Sequence, residues 1–228
     1  MTRPDILEAL DRLDDLTRRL RRECPWDREQ DERSIVPHTV EEAYELADAA
    51  QRGDDPKLID ELGDVLFQVH FLSLLLEERD AGDLAAVAEH CRQKLIRRHP
   101  HVFGEVEVGG ASEVLANWDQ IKRAEPGREP GVFGEVPENL PGPLYARKLQ
   151  RRAASAGRHE VAEDPQDATA RLRATEDRDA RADALGDALF ALVDLARRER
   201  VDPELALRAA ADRFRDRIEA RPTIRRSP

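Results

Sequence analysis

The chain has 228 residues, 37% of them charged and only 4% aromatic, and a formal net charge of −11. That length allows one large or two small domains, and the acidic balance excludes a generic binder of nucleic acid polymers, which needs a basic surface, but not a small anion held through a cation. Two cysteines, Cys24 and Cys91, are too few for a disulfide framework; with no apolar run of about 18 residues and no apolar signal stretch at the N-terminus, no membrane partner is expected and the expected location is cytoplasmic.

Residues 5–22 carry Ile6, Leu7, Leu10, Leu13, Leu16 and Leu20, a helical stripe that Cys24-Pro25-Trp26-Asp27 ends. Thr39 is placed to cap a helix from about 40 to 51, with Glu42 at its third position as in a capping box. Gly53-Asp54-Asp55-Pro56 reads as a turn. The next helix, about 57–79, is expected to bury a broad face of Leu62, Val65, Leu66, Val69, Leu72, Leu75 and Leu76. Gly82-Asp83 breaks it, and a third helix covers about 84–98, stopping at His99-Pro100. Residues 101–111 read as irregular, and Ser112 starts a helix over about 112–124. A Pro- and Gly-rich stretch, 125–143, reads as a linker. The segment that follows contains Leu185-Gly186-Asp187-Ala188-Leu189-Phe190, an echo of Leu62-Gly63-Asp64-Val65-Leu66-Phe67. Arg213-Phe214-Arg215-Asp216-Arg217 likewise echoes Lys94-Leu95-Ile96-Arg97-Arg98. The copy is defective in its acids: Ala184 stands where Glu61 stands.

Two acidic motifs carry the chemistry. Glu41-Glu42-Ala43-Tyr44-Glu45 and Glu61-Leu62-Gly63-Asp64 each set carboxylates at i and i+3, one turn apart, with Cβ atoms about 5–6 Å apart. Taken singly, such a motif is usually a solvated helix face. Here the second lies in an apolar helix, where an unpaired carboxylate is costly, and its glycine suggests a close approach. Two helices joined by a short turn pack antiparallel, which brings Glu42 and Glu45 opposite Glu61 and Asp64. Four facing carboxylates call for a cation, and an oxygen-only set selects Mg²⁺, with Mn²⁺ as a substitute, over zinc. Such an ion completes its shell with water and substrate phosphates. Glu41 could orient an attacking water, or be a surface glutamate favourable to a helix start.

Basic residues are almost all arginine; lysine occurs only at Lys57, Lys94, Lys122 and Lys148. Lys94 and Arg98, spaced i and i+4, share a face suited to distal phosphates, and Lys57 precedes Glu61 by one turn. Cations at a helix end also complement its dipole, which accounts for Arg98 better than for Lys94 or Lys57. In Asn117-Trp118-Asp119-Gln120-Ile121-Lys122, Trp118 could stack on a base with Asn117 and Lys122 adding polar contacts; core packing is the alternative for Trp118.

The ordered set closely resembles the MazG nucleoside triphosphate pyrophosphohydrolases. It comprises Cys24-Pro25-Trp26-Asp27, Glu41-Glu42-Ala43-Tyr44-Glu45, Glu61-Leu62-Gly63-Asp64, Arg97-Arg98-His99-Pro100-His101-Val102-Phe103-Gly104 and Trp118-Asp119-Gln120-Ile121-Lys122. The resemblance implies an all-α helical-bundle fold, related to dimeric all-α dUTP pyrophosphatases, in two tandem domains. Here they would be a catalytic domain over 1–124, the linker 125–143 and a degenerate second copy over 144–228. It implies Mg²⁺-dependent hydrolysis of (d)NTPs to the monophosphate and pyrophosphate, by attack of water on the α- or β-phosphorus. Glu42, Glu45, Glu61 and Asp64 would hold the metal, and His38, Lys57, Lys94, Arg98 and Trp118 fall where nucleotide contacts lie. A homodimer or higher homo-oligomer and a role in cleaning the nucleotide pool are expected. The competing expectation is a helical oligomer that senses nucleotides without turning them over.

Overall fold

A computed structural model of the chain describes residues 2–127, 131–134, 136–158 and 162–220. The described residues contain helices and connecting segments and no strand, so the chain is all-α. They fall into two compact units, Met1–Arg97 and Arg98–Pro228.

The first unit is built on a helical hairpin. Helix α1 spans Arg3–Glu23, α2 Pro25–Glu29, α3 Glu32–Arg52, α4 Asp55–Glu77 and α5 Leu84–Arg98. Helix α3 begins eight residues before the expected start at about 40. Asp31 caps it, its carboxylate accepting from the backbone N–H groups of Arg33 and Ser34. Thr39 is interior, its hydroxyl near the Gln68 amide oxygen on α4 at 3.3 Å. Pro37 lies inside the helix, where proline removes a backbone hydrogen bond. The capping box at Asp31 and the burial of Ile35 outweigh that loss. Gly53, at φ 67°, turns the chain through the left-handed region that favours glycine, and Asp54 caps α4 by accepting from the N–H of Lys57.

Ile35 of α3 packs with Phe71 and Leu75 of α4, flanked by Phe67 and Leu72. Helix α1 is fastened to α4 by charge: Arg18 grips Glu77 with two hydrogen bonds, and Arg21 grips Glu78 while also donating to the carbonyls of Asp27 and Gln30. The buried face of α4 matches the expected one only in its C-terminal half, where Leu75 is buried and Leu72 packs against the core. Phe71, Leu74 and Leu75 are buried, whereas Leu62, Leu66 and Val69 are exposed, Leu62 to 50%. Helix α3 covers one side of α4, and the stripe Ile59, Leu62, Leu66, Val69 lies on an exposed side.

The second unit holds α6 (Pro100–Phe103), α7 (Ala111–Ala124), α8 (Gly142–Ser155), α9 (Pro165–Ala174), α10 (Arg178–Arg198) and α11 (Pro203–Glu219). Part of the expected irregular stretch 101–111 is thus a short helix. The units divide between Arg97 and Arg98, ahead of the Pro- and Gly-rich stretch. Helix α7 groups with α8 because Arg123 donates to the carbonyl of Ser155 and Arg151 pairs with Asp119 at 3.5 Å. Within the linker stretch, the Phe133 carbonyl accepts from the buried Arg152. Helices α9 and α10 repeat the α3–α4 hairpin, closing on the small residues Ala168, Ala188 and Ala191. This is the structural counterpart of the sequence echo.

Candidate metal centre

Helix α3 supplies Glu42 and Glu45, and α4 supplies Glu61, from the two arms of the hairpin. One carboxylate oxygen from each lies within 4.8 Å of the others, a spacing that suits three ligands on one ion. Their surroundings differ. Glu45 is exposed, Glu42 is half-buried, and Glu61 is 1% exposed. The close hairpin turn at Gly53 forces this crowding, because it sets the motifs at nearly equal distances from the bend.

Electrostatics confirm the strain of the arrangement. Burial first, then the charge of Asp64 and those of Glu45 and Glu61, hold the Glu42 carboxyl above its ordinary value. The local countercharge is Lys57. Its Nζ makes a close ion pair with Glu61, lies 3.3 Å from Asp60 and 4.0 Å from Glu45. Those contacts, Glu61 first and Asp60 second, push the Lys57 ammonium above its ordinary value. Even so, neither Glu61 oxygen has a partner at hydrogen-bonding geometry. A buried carboxylate without hydrogen bonds is expensive. Two further carboxylates beside it make an oxygen-rich, anionic pocket of the kind that holds a hard divalent cation. The donor set therefore fits Mg²⁺ or Mn²⁺.

Other site residues are placed less directly. Asp64 is exposed and stands outside the set of three, one turn beyond Glu61, near enough for its charge to act on Glu42. The buried acid of the second motif is therefore Glu61, and not Asp64. Gly63 is exposed and a Cβ there would meet nothing within 4 Å, so it permits no close approach within the chain. Glu41 is exposed, with its carboxylate 3.4 Å from His38 Nδ1, and the His38 ring meets Trp26 edge-on at 5.8 Å. Lys94 sits half-buried on α5 and enters no described ion pair.

The remaining candidates lie in the second unit. Arg98 is not presented to solvent: it is 8% exposed and makes two hydrogen bonds to Glu125, at 2.9 and 2.6 Å. Its guanidinium also lies 5.4 Å from the centre of the Trp118 ring, against which His99 packs edge-on at 4.8 Å. Trp118, half-buried, thus packs against Arg98 and His99 within its own unit. Asn117 is half-buried on α7, and Lys122 lines a cleft of about 270 Å³ with Lys148 and Arg151. Two residues escaped sequence reasoning. Asp60 shares Lys57 with the carboxylates, and its i, i+3 spacing from Lys57 is a legible signal. Glu125 fixes Arg98 across 27 residues, with no local signal at all.

The repeat in the second unit has lost this chemistry. Ala184, at the place of Glu61, is 2% exposed, and Asp187, at the place of Asp64, is bound by Arg171 at 3.0 Å. Among the described residues, Glu42, Glu45 and Glu61 form the one group with metal-ligand spacing.

A family model described as the MazG nucleotide pyrophosphohydrolase domain matches residues 30–103, which contain both acidic motifs. The chain is 37% identical to the nucleoside triphosphate pyrophosphohydrolase of Escherichia coli K12, over 93% of this chain and 86% of that one. It is 36% identical to the nucleoside triphosphate pyrophosphohydrolase/pyrophosphatase MazG of Thermotoga maritima, over 86% of this chain and 77% of that one. A crystal structure of a mazG-related protein from Thermotoga maritima is matched with a TM-score of 0.43 and 24% identity, over 49% of this chain and 97% of that one. Likeness of this extent, with the acidic hairpin inside the matched segment, means that the chain belongs to the MazG nucleotide pyrophosphohydrolase family.

Proposed function

We propose that this chain hydrolyses nucleoside triphosphates to the monophosphate and pyrophosphate, with Mg²⁺ held by Glu42, Glu45 and Glu61 and with Asp64 beside them. The carrying observation is Glu61, a carboxylate buried to 1% exposure, paired with Lys57 and with two further carboxylates within 4.8 Å. The names of the relatives supply the substrate class. When bound, the ion supplies charge neutralisation on the phosphoryl group under attack.

The rest is the work of the chain's own residues. The carboxylate trio of Glu42, Glu45 and Glu61 would hold the ion to which the triphosphate binds. Lys57, paired with Glu61, is the cation of the site that would be available to the phosphates. Glu41, exposed at the start of the motif, orients the attacking water and accepts its proton. The water oxygen bonds either to the α-phosphorus, whose bond to the α–β bridging oxygen breaks as pyrophosphate departs with that oxygen, or to the β-phosphorus, whose bond to the same oxygen breaks as the monophosphate departs with it; both routes give the monophosphate and pyrophosphate. The broken acid set of the second unit leaves activity to the first. The exposed stripe Ile59, Leu62, Leu66, Val69 has the 3-4-3 spacing of a helix–helix seam, and it recurs at Leu185, Leu189 and Leu192. A second copy of the chain covers it in a homodimer or larger assembly. The free thiols Cys24 and Cys91 suit a reducing compartment such as the cytoplasm, where the activity would clear unwanted triphosphates from the nucleotide pool.

The test is pyrophosphate release from a panel of (d)NTPs with Mg²⁺. Release by the native chain, lost in Glu61→Gln and kept in Asp187→Ala, supports the reading. No release from any triphosphate, or equal release by Glu61→Gln, overturns it.

A further inference from the structure

Two clefts of the second unit differ in their electrostatics. A cavity of about 410 Å³ beside Asp187 is lined by three arginines and three carboxylates, so its charges cancel. A smaller cleft, of about 270 Å³, is lined by Lys122, Leu140, Leu144, Arg147, Lys148 and Arg151, with no acid among them. Leu144, Arg147, Lys148 and Arg151 fall at i, i+3, i+4 and i+7 of α8, so one helix face presents three of the cations. Lys122 joins them from the last turn of α7.

These cations are unequally satisfied. Arg147 is bound by Asp202, whose carboxylate also caps α11. Arg151 reaches the Asp119 carboxylate only at 3.5 Å, longer than a charge-assisted hydrogen bond, and its Nε has no acceptor. Its side chain is 42% exposed, open to a ligand. Lys148 is half-buried and has neither an ion pair nor a hydrogen bond among the described residues. Burial first, then the charges of Arg152 and Arg151, hold its ammonium below its ordinary value. Asp119 and Asp202 each offset one arginine, which leaves the Lys148 charge without a counterion whatever Lys122 contacts. A partly desolvated cation without a counterion costs stability, and an anion in the cleft would remove that cost.

We infer that this cleft binds one phosphoryl group of a small inorganic anion, phosphate or pyrophosphate, without a metal ion. Lys148 supplies the compensating charge, and Arg151 supplies planar donors that suit phosphate oxygens. Leu140 and Leu144 form an apolar edge that strengthens the attraction by lowering the local dielectric. Size and lining exclude a nucleotide. The volume falls below the range of about 300–1,000 Å³ for drug-sized ligands, and no aromatic ring lines the cleft for a base to stack on. The anion site stands on the cleft alone; pyrophosphate is singled out as the product of the proposed hydrolysis, and that choice rests on the pyrophosphohydrolase reading.

The test is isothermal titration of the intact chain in EDTA, at fixed ionic strength, with sodium phosphate and sodium pyrophosphate, and with AMP for comparison. The expected result is saturable binding of one or both inorganic anions at one per chain, about tenfold tighter than AMP. Lys148→Met keeps the stem and removes the charge; it should bind about tenfold more weakly, the worth of one charge-assisted hydrogen bond, while Lys148→Arg retains binding. Without the anion Lys148→Met should melt no lower than the native chain, and the rise in melting temperature that the anion gives the native chain should be lost. Glu61→Gln should bind the anion as the native chain does. Absence of saturable binding by both inorganic anions, binding by Lys148→Met as tight as native, a lower melting temperature for that variant, or AMP binding as tightly as the inorganic anions overturns the inference. Pyrophosphate release with Mg²⁺ reads the first unit separately, so failure there with intact binding in EDTA sinks only the catalytic reading, and the converse sinks only this one.

Discussion

Replacing Glu61 by Gln keeps the shape of the side chain and removes one charge from the carboxylate trio. The structure sets the scale. Each like-charge pair at 4.8 Å repels by about 1 kcal/mol in bulk water and about 3 kcal/mol at an effective dielectric of 20. Exposure of Glu45 pulls its pair to the low end, and loss of the Lys57 ion pair offsets the relief. The metal-free protein should therefore move by no more than about 1 kcal/mol, a surface-pair scale. The response to metal is the decisive quantity. At a concentration of Mn²⁺ a hundred times its Kd, binding adds about 2.7 kcal/mol to the native chain. For a unit of the size of Met1–Arg97, that raises the transition by roughly 10–20 °C. Differential scanning calorimetry in EDTA and in MnCl₂ reads both effects. The native first unit should shift by that amount and Glu61→Gln by under a quarter of it. A native transition indifferent to Mn²⁺ and Mg²⁺, or a full shift in Glu61→Gln, would refute the assignment of the trio as a metal centre.

The raised Glu42 carboxyl predicts a pH dependence. Its folded value lies above the unfolded one, so its charge opposes folding at neutral pH and that opposition is relieved as the pH falls through the folded value. Metal and proton compete for the same oxygen, so Mn²⁺ affinity should fall on acidification sooner than an ordinary carboxylate would allow; a titration in which Glu42→Gln has the same pH profile as the native chain counts against this. In the second unit, Arg98→Ala removes two hydrogen bonds to the carboxylate of Glu125 and should cost about 3–5 kcal/mol in urea unfolding, whereas Arg98→Met with Glu125→Leu should cost much less; equal losses would mean that the pair is not the cause. On the exposed stripe, Leu66→Glu should lower the mass seen by sedimentation equilibrium while the helical circular dichroism is retained; an unchanged mass rejects α4 as the seam.

Much of the hairpin is legible from local pattern. The turn at Gly53-Asp54, the acids at i and i+3 and the glycine-marked repeat follow from short-range rules, and the helices stand within a few residues of their expected limits. The start of α3 was the exception. Thr39, with Glu42 three residues on, suggests a late start, whereas the cap of the early one is Asp31 with Ser34, next to Ile35, which packs against Phe71.

Burial is where sequence reasoning stopped. Periodicity assigns residues to a face, but it does not say which neighbour covers the face. Glu61 and Asp64 look equivalent in the motif, yet α3 shuts Glu61 away at 1% exposure and leaves Asp64 in solvent. Arg98 reads as a free cation at a helix end, yet Glu125, 27 residues on, claims it. By itself the sequence determined an all-α repeat with one intact acidic hairpin and one degenerate copy, because those features are written in spacings of a few residues. Only the tertiary structure decided which carboxylate is buried, which arginine is already paired, and that the degenerate copy keeps a cavity. Desolvation and long-range pairing depend on what packs against a side chain, and that partner is fixed in space and not in sequence.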